Sequence, residues 1–127
     1  MRYLTALMAA ALAAGLSVPA LAEGDAAAGE KVYNRCKSCH AVGEGARNRV
    51  GPQLNGIVGT EIASADGFKY SKAFMEKKAE GLVWTEQALA AFLEKPRDYI
   101  PQTRMSFGGL NKEEDRVNVI TYLMTFK

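Results

Sequence analysis

The chain has 127 residues and a formal net charge of +2, with 24% charged and 48% hydrophobic residues. Its 16 basic residues are interspersed with 14 acidic ones, whereas nucleic-acid binding calls for clustered bases and a strongly basic balance. These numbers argue against a polyanion-binding protein and leave room for one compact domain.

The N-terminal segment has the three-part plan of a secretory signal peptide. A positive charge at Arg2 precedes an apolar run over residues 4–16, and a small-x-small triplet ends at Ala22. The run is shorter than the roughly 20 residues that a membrane-spanning helix needs. The sequence predicts a cleaved signal peptide over residues 1–22 and a single soluble domain over residues 23–127. An uncleaved leader that serves as a membrane anchor is the alternative.

The rest of the chain predicts an all-α protein with long loops. Capping residues and apolar spacing predict helices from Asp25 to about Arg35, Ser71 to Ala79, Thr85 to Lys95 and Asn111 to about Phe126. Asp25, Thr85 and Asn111 are the expected N-caps, and Pro96 ends the third helix. Glycine and proline make residues 41–67 and 96–109 irregular, and such long loops need something to wrap around.

The strongest chemical signal is the motif Cys36-Lys37-Ser38-Cys39-His40. Two thiols at this spacing can meet the two vinyl groups of a haem, and the adjacent imidazole can reach its iron. A zinc site needs four ligands, but the chain has only these two Cys and this one His. A thioredoxin-like pair would accompany a βαβ pattern, and a bare disulfide would leave the His unexplained. Covalent attachment of one haem c through Cys36 and Cys39 is therefore predicted.

Because His40 is the only histidine, another residue type must fill the second axial position of the iron, or the position stands open. The candidates downstream of the leader are Met75, Met105 and Met124. Met124 is expected to be core filler on the last helix, and Met75 stands among charged residues. Met105 lies in a loop rich in Pro and Gly that can fold over a cofactor, so it is the predicted ligand.

With these motifs, the sequence resembles class I cytochrome c, and more narrowly the small bacterial members called cytochrome c2. The resemblance covers nearly all of residues 23–127. It rests on Gly29 to Tyr33, the Cys36-x-x-Cys39-His40 motif, Gly51-Pro52, Gly67 to Ser71, Trp84 before a helix, and Lys95-Pro96-x-x-Tyr99-Ile100-Pro101-x-Thr103-x-Met105-x-Phe107. It implies the small cytochrome c fold, with three to five helices and long loops wrapped around one covalently bound haem.

The resemblance also implies roles for single residues. His40 and Met105 are the implied axial ligands, with the Pro52 carbonyl accepting a hydrogen bond from the His40 ring. Tyr70, Trp84 and Thr103 match residues near the haem propionates, although aromatic core is an alternative role for the first two. Gly29 and Tyr33 match the crossing of the first helix with the last, near Tyr122 and Leu123.

Three positions depart from the family pattern. Phe92 stands where many relatives have a Tyr that reaches the Met ligand, and Phe74 stands where many have Asn. Both changes predict a drier haem pocket, whose potential cannot be copied from relatives. Thr60 replaces a frequent Arg near the propionates, which leaves their charge compensation open.

The function implied is that of a periplasmic electron carrier and not an enzyme. Its implied partners are a quinol:cytochrome c oxidoreductase as donor and a terminal oxidase or photosynthetic reaction centre as acceptor. The monomeric protein would dock transiently through a basic face around the haem edge, formed by Lys31, Arg35, Arg49, Arg97, Arg104 and Lys112. A haem peroxidase or gas-binding protein with an open sixth position is the alternative, although the chain lacks a second His to handle protons. A structural, disulfide-bonded protein without haem is a further one.

Overall fold

The computed structural model describes Gly15 and residues 24–127. Five helices follow one another: α1 (Ala26–Tyr33), α2 (Lys72–Ala79), α3 (Glu86–Glu94), α4 (Pro96–Tyr99) and α5 (Glu113–Leu123). Within these residues the only β pairing is an isolated bridge between Glu61 and Val83. The all-α prediction is confirmed. Apart from Gly15, the predicted signal peptide and its cleavage point at Ala22 lie outside the described residues.

Three helices begin at a residue whose side chain caps them, and two of these residues, Asp25 and Thr85, are the N-caps that the sequence predicts. The Asp25 carboxylate accepts hydrogen bonds from the backbone N–H groups of Ala27 and Ala28, at 2.8 and 3.2 Å. The hydroxyl groups of Ser71 and Thr85 accept from the third residue beyond them, at 3.2 and 3.0 Å. Each cap satisfies N–H groups that have no partner within their own helix. In the described part of the chain, no helix has the length and hydropathy to cross a membrane.

The last helix differs from its prediction at both ends. Lys112, not Asn111, occupies the N-cap position of α5, and its side chain makes no capping hydrogen bond. The Arg116 guanidinium instead donates to the carbonyls of Leu110 and Asn111, at 2.7 and 3.1 Å, and so holds the chain that enters the helix. The helix ends at Leu123, so Met124 lies just beyond it and is 47% exposed. The expectation that Met124 fills the core is wrong.

The segment after α3 contains one more helical turn than the sequence predicts. Pro96 ends the predicted third helix, since α3 stops at Glu94, but it also occupies the first turn of α4. Proline suits this place because its ring fixes φ and the missing N–H would have no helical partner there. Residues 96–109 are therefore irregular only after Tyr99.

The crossing of α1 and α5 holds the two ends of the domain together. Gly29 lies against the backbone of Asn118, where a Cβ would meet the Asn118 carbonyl oxygen. The rings of Tyr33 and Tyr122 pack with centroids 5.4 Å apart, as the predicted crossing requires. The Asn118 side chain, only 7% exposed, accepts a 2.8 Å hydrogen bond from the Asp25 N–H. Because α1 leads into Cys36, this crossing positions the attachment motif.

Candidate functional site

The Cys36–His40 motif forms a tight turn directly after α1. The N–H groups of Cys39 and His40 both donate to the Cys36 carbonyl, at 3.1 and 2.9 Å. No disulfide joins Cys36 and Cys39, and both side chains are half-buried. Burial raises the pKa of the Cys36 thiol. The turn thus presents two thiols and one imidazole as neighbours, in the order that attachment of a haem requires.

The His40 ring is fixed in one orientation by its backbone partner. Its Nδ1–H donates to the Pro52 carbonyl at 2.7 Å, which leaves Nε2 as the nitrogen with a lone pair. Burial lowers the pKa of His40 while the hydrogen bond to Pro52 raises it, and burial is the larger effect. A neutral imidazole is the form that binds a metal. The backbone contact predicted between His40 and Pro52 is present.

Gly51 brings the backbone close to the same ring. A Cβ at Gly51 would lie 2.8 Å from both His40 Nδ1 and Nε2, so no other residue fits without moving the ring. The Gly51 N–H donates to the Cys39 carbonyl at 2.9 Å, which links the backbone at Gly51 and Pro52 to the attachment turn. His40 is therefore held on one side by Gly51 and Pro52 and on the other by its own turn.

The three methionine candidates differ in burial. Met75 is 48% exposed on α2 and Met124 is 47% exposed after α5, whereas Met105 packs against the core. The Met105 N–H donates to the Thr103 hydroxyl at 3.3 Å, and the Phe107 N–H donates to the Met105 carbonyl at 3.0 Å. These contacts give the Met105 loop a defined shape without helical hydrogen bonds.

An aromatic cluster occupies the middle of the molecule. Phe92 lies at its centre, with ring centroids 5.1 Å from Trp84, 6.0 Å from Phe74 and 6.4 Å from Tyr99. Trp84 is only 4% exposed. The Tyr70 hydroxyl accepts a 2.9 Å hydrogen bond from the Ala65 N–H and keeps its own proton to donate. The two phenylalanines that depart from the family pattern are thus part of one apolar surface.

The residues present fit a haem. A haem needs thiols for attachment, ligands for its iron and an apolar lining. Cys36 and Cys39 supply the thiols, while His40 Nε2 and the partly buried thioether of Met105 are the available ligands. The aromatic cluster supplies apolar surface. Residues 24–127 contain no group of three or more His, Cys, Asp or Glu side chains that could hold a metal ion by themselves.

The family model for cytochrome c matches residues 26–127. The chain belongs to the cytochrome c family. It is 51% identical over 100 residues to cytochrome c2 of Afifella marina, covering 79% of this chain and 81% of the relative. It is 48% identical over 126 residues to cytochrome c-554 of Methylosinus trichosporium, covering 99% of this chain and 91% of the relative.

Solved cytochrome structures agree with this assignment. Cytochrome c2 from Rhodospirillum Centenum superposes with a TM-score of 0.77 at 34% identity, covering 81% of this chain and 98% of that one. For cytochrome cH from Methylobacterium extorquens, the TM-score is 0.73 at 39% identity, covering 80% of this chain and 99% of that one. This cytochrome carries one haem c covalently bound through Cys36 and Cys39. It is an electron carrier and not an enzyme.

Sequence reasoning missed the polar residues that shape the long loop before α2. Asn55 exchanges two hydrogen bonds with the Gly43 backbone, at 2.8 and 2.9 Å, and Asn48 donates to the Asp66 carbonyl at 2.8 Å. The Thr60 hydroxyl donates to the Ile57 carbonyl at 2.8 Å, so its proton is engaged locally. The amide side chains clustered over residues 48–55 are the signal that could have predicted this bracing.

Proposed function

We propose that this cytochrome transfers single electrons through a haem iron whose two ligands from the protein are His40 Nε2 and the Met105 sulfur. The observation that carries the proposal is the 2.7 Å hydrogen bond from His40 Nδ1–H to the Pro52 carbonyl, because it leaves only Nε2 for the iron. The bound haem supplies the reversible one-electron chemistry of its iron. Histidine and thioether are a soft, neutral pair that favours the ferrous state, so we expect a positive reduction potential.

The other predicted pocket residues hold the cofactor rather than react. We assign Tyr70, Trp84 and Thr103 to the neighbourhood of the propionates. Tyr70 supports this role because its hydroxyl proton is free to donate while its oxygen accepts from the Ala65 N–H. The aromatic cluster around Phe92 excludes water from the lining, which raises the potential by disfavouring the extra charge of ferric iron.

The rival function is that of an enzyme or gas-binding protein with an open sixth position. His40 is the only histidine in the chain, so no second imidazole supplies the proton-handling base that a peroxidase uses. Met105 is also the one methionine of the three that packs against the core. Both observations favour an iron whose sixth coordination position is filled by a side chain of the protein.

The decisive experiment is the weak near-infrared sulfur-to-iron absorption band of the oxidised holoprotein. We expect it in the wild type, unchanged in Met75→Ala, and absent in Met105→Ala. Met75 is the matched control because it is 48% exposed. A high-spin wild-type spectrum that shifts with added cyanide or carbon monoxide would instead establish an open site.

We further assign docking to a basic face around the haem edge. Its six residues are all exposed, and none takes part in the two ion pairs of the described residues: Lys31, Arg35, Arg49, Arg97, Arg104 and Lys112. The partners would be a quinol:cytochrome c oxidoreductase as donor and a terminal oxidase or photosynthetic reaction centre as acceptor, each meeting the monomer transiently. Exposed charges are screened over a Debye length of about 8–10 Å, so the association rate should fall as salt rises.

The place of this reaction is assigned to the periplasm, with residues 1–22 removed on export and residues 23–127 remaining as one domain. The alignment with cytochrome c-554 covers 99% of this chain and therefore extends into the predicted signal peptide, which supports the assignment. Mass spectrometry of the protein recovered from the periplasm tests this assignment: we expect an N-terminus at Glu23. Retention of Met1 in a membrane fraction would contradict it.

A further inference from the structure

The short segment from Thr60 to Ala65 connects two of the residues assigned to the haem propionates. The Trp84 N–H donates to the Thr60 carbonyl at 2.7 Å, and the Ala65 N–H donates to the Tyr70 hydroxyl at 2.9 Å. Thr60 stands where many relatives have Arg, so the segment begins with a neutral side chain. The charge that would balance a propionate must therefore come from another residue.

Lys78 reaches the middle of the same segment. Its ammonium donates to the Ala63 carbonyl at 3.1 Å, and this contact is partly buried. Ala63 itself is only 9% exposed. The contact holds a positive charge two residues before Ala65, the residue whose N–H is bonded to Tyr70.

The acidic residues near Lys78 are exposed or already paired. Glu61 and Asp66 lie exposed on either side of Ala63. On α2 and at its C-cap the charges form the two ion pairs of residues 24–127, which join Lys72 with Glu76 and Lys77 with Glu80. Lys78 belongs to neither pair, so its charge is not balanced within this part of the chain.

Helix α2 directs Lys78 toward the aromatic residues of the pocket. Phe74 precedes Lys78 by four residues and therefore lies on the same face of the helix. The Phe74 ring centroid is 6.1 Å from that of Tyr70 and 6.3 Å from that of Trp84. Lys78 continues this face by one turn, in the last turn of α2, where the helix dipole favours a positive charge.

We propose that Lys78 supplies the positive charge that compensates a haem propionate in this cytochrome, where Thr60 is neutral. The inference rests on the proposed function, which assigns Tyr70 and Trp84 to the propionates. A carboxylate in a half-buried pocket keeps its charge only with hydrogen-bond donors or an opposite charge nearby. The Tyr70 hydroxyl and the Trp84 indole N–H are neutral donors, and Lys78 adds the charge.

Two arginines near the same segment are placed less well for this role. Arg47 and Thr60 line a common cavity of about 620 Å³, but Arg47 is exposed. The Arg104 guanidinium donates to the carbonyl of Lys69 at 3.3 Å, and both of these residues are exposed as well. Water screens exposed charges strongly, whereas the partly buried ammonium of Lys78 is screened less.

The test is a redox titration of the holoprotein at a series of pH values. The reduction potential falls where a propionate ionises, because a negative charge favours ferric iron. In Lys78→Met this fall should move to a pH about one unit higher, since no ammonium then lowers the pKa of the propionate. Lys78→Arg keeps the charge and should leave the fall near its wild-type pH.

Two further variants make the test specific. Lys72→Met removes the same charge from the same helix, but the Lys72 side chain is 92% exposed, so the fall should stay in place. Thr60→Arg, introduced into the Lys78→Met protein, should return the fall toward its wild-type pH, because it restores a positive charge on the same segment.

The outcomes separate this proposal from the assignment on which it rests. If Tyr70→Phe moves the fall and Lys78→Met does not, the propionate lies where it is assigned but Lys78 does not compensate it. If Arg47→Met moves the fall in place of Lys78→Met, Arg47 supplies the charge and the proposal is wrong. If neither Tyr70→Phe nor Lys78→Met changes the curve, the assignment of Tyr70 fails as well. A Lys78→Met protein without the near-infrared sulfur band has lost an iron ligand, which also overturns the proposal.

Discussion

The neighbouring glycines Gly108 and Gly109 should differ strongly in how much stability they lose on substitution by alanine. Gly109 has φ +110°, and a Cβ there would meet the Glu94 carbonyl oxygen, with its carbon at 2.9 Å. Gly108 has no atom within 4 Å of its ideal Cβ and does not have a positive φ. The following residue, Leu110, donates to the Leu93 carbonyl at 2.7 Å and is 1% exposed, so the backbone cannot move away freely.

The size of the effect follows from two costs. A side chain in this backbone region costs about 1–3 kcal/mol, and forcing a methyl against a helix end costs about 1–3 kcal/mol more. Gly109→Ala should therefore lose about 2–6 kcal/mol of the free energy of unfolding. Gly108→Ala should stay within about 1 kcal/mol of the wild type, because restricting the unfolded chain offsets any small loss.

Urea unfolding of the two holoproteins, followed by the fluorescence of the single tryptophan, Trp84, measures both values. A difference of about 2 kcal/mol corresponds to a melting temperature roughly 8–16 °C lower for Gly109→Ala. Because Gly109 lies four residues after Met105, the near-infrared sulfur band should also weaken in this variant alone. Equal stability of the two variants would refute the contact between Gly109 and the end of α3.

Three further predictions concern α1 and the His40 ring. The hydroxyl of Tyr33 is buried without a hydrogen-bond partner among residues 24–127. Tyr33→Phe should therefore raise the free energy of unfolding by about 1 kcal/mol, whereas the control Tyr122→Phe should leave it nearly unchanged. A loss of stability in Tyr33→Phe would show that the hydroxyl has a partner. Burial raises the pKa of Tyr33 to about 12, above its unfolded value, so its contribution to stability is complete below about pH 10 and is lost as pH rises to about 12. Denaturation at alkaline pH should therefore be less pH-dependent in Tyr33→Phe, and an unchanged slope would contradict the shift. Gly51→Ala should displace the His40 ring from the Pro52 carbonyl. Without that hydrogen bond the ring is a weaker electron donor and stabilises ferric iron less, so the reduction potential measured by redox titration should rise. A wild-type potential would show that the backbone at Gly51 moves to make room for the methyl group.

Local chemistry explains why much of this protein could be predicted from its sequence. Asp25 and Thr85 cap helices because their side-chain oxygens reach N–H groups two or three residues away, a contact that needs no other part of the chain. The haem-attachment motif is local for the same reason, since both cysteines and the histidine lie within five consecutive residues. The contact between His40 and Pro52 came from the family resemblance and is present in the structure.

Only the tertiary structure decided the features that depend on distant partners. The sequence predicts Asn111 as the cap of α5, but the Arg116 guanidinium donates to the Asn111 carbonyl and the helix begins after Lys112. Met124 has the spacing of a core residue, yet the helix ends before it and the side chain is exposed. Periodicity alone does not fix the residue at which a helix ends. The sequence by itself thus determined the site where haem is attached, because that chemistry involves neighbouring residues only. The fold determined which side chains surround the attached group, because their burial depends on contacts between segments far apart in the chain.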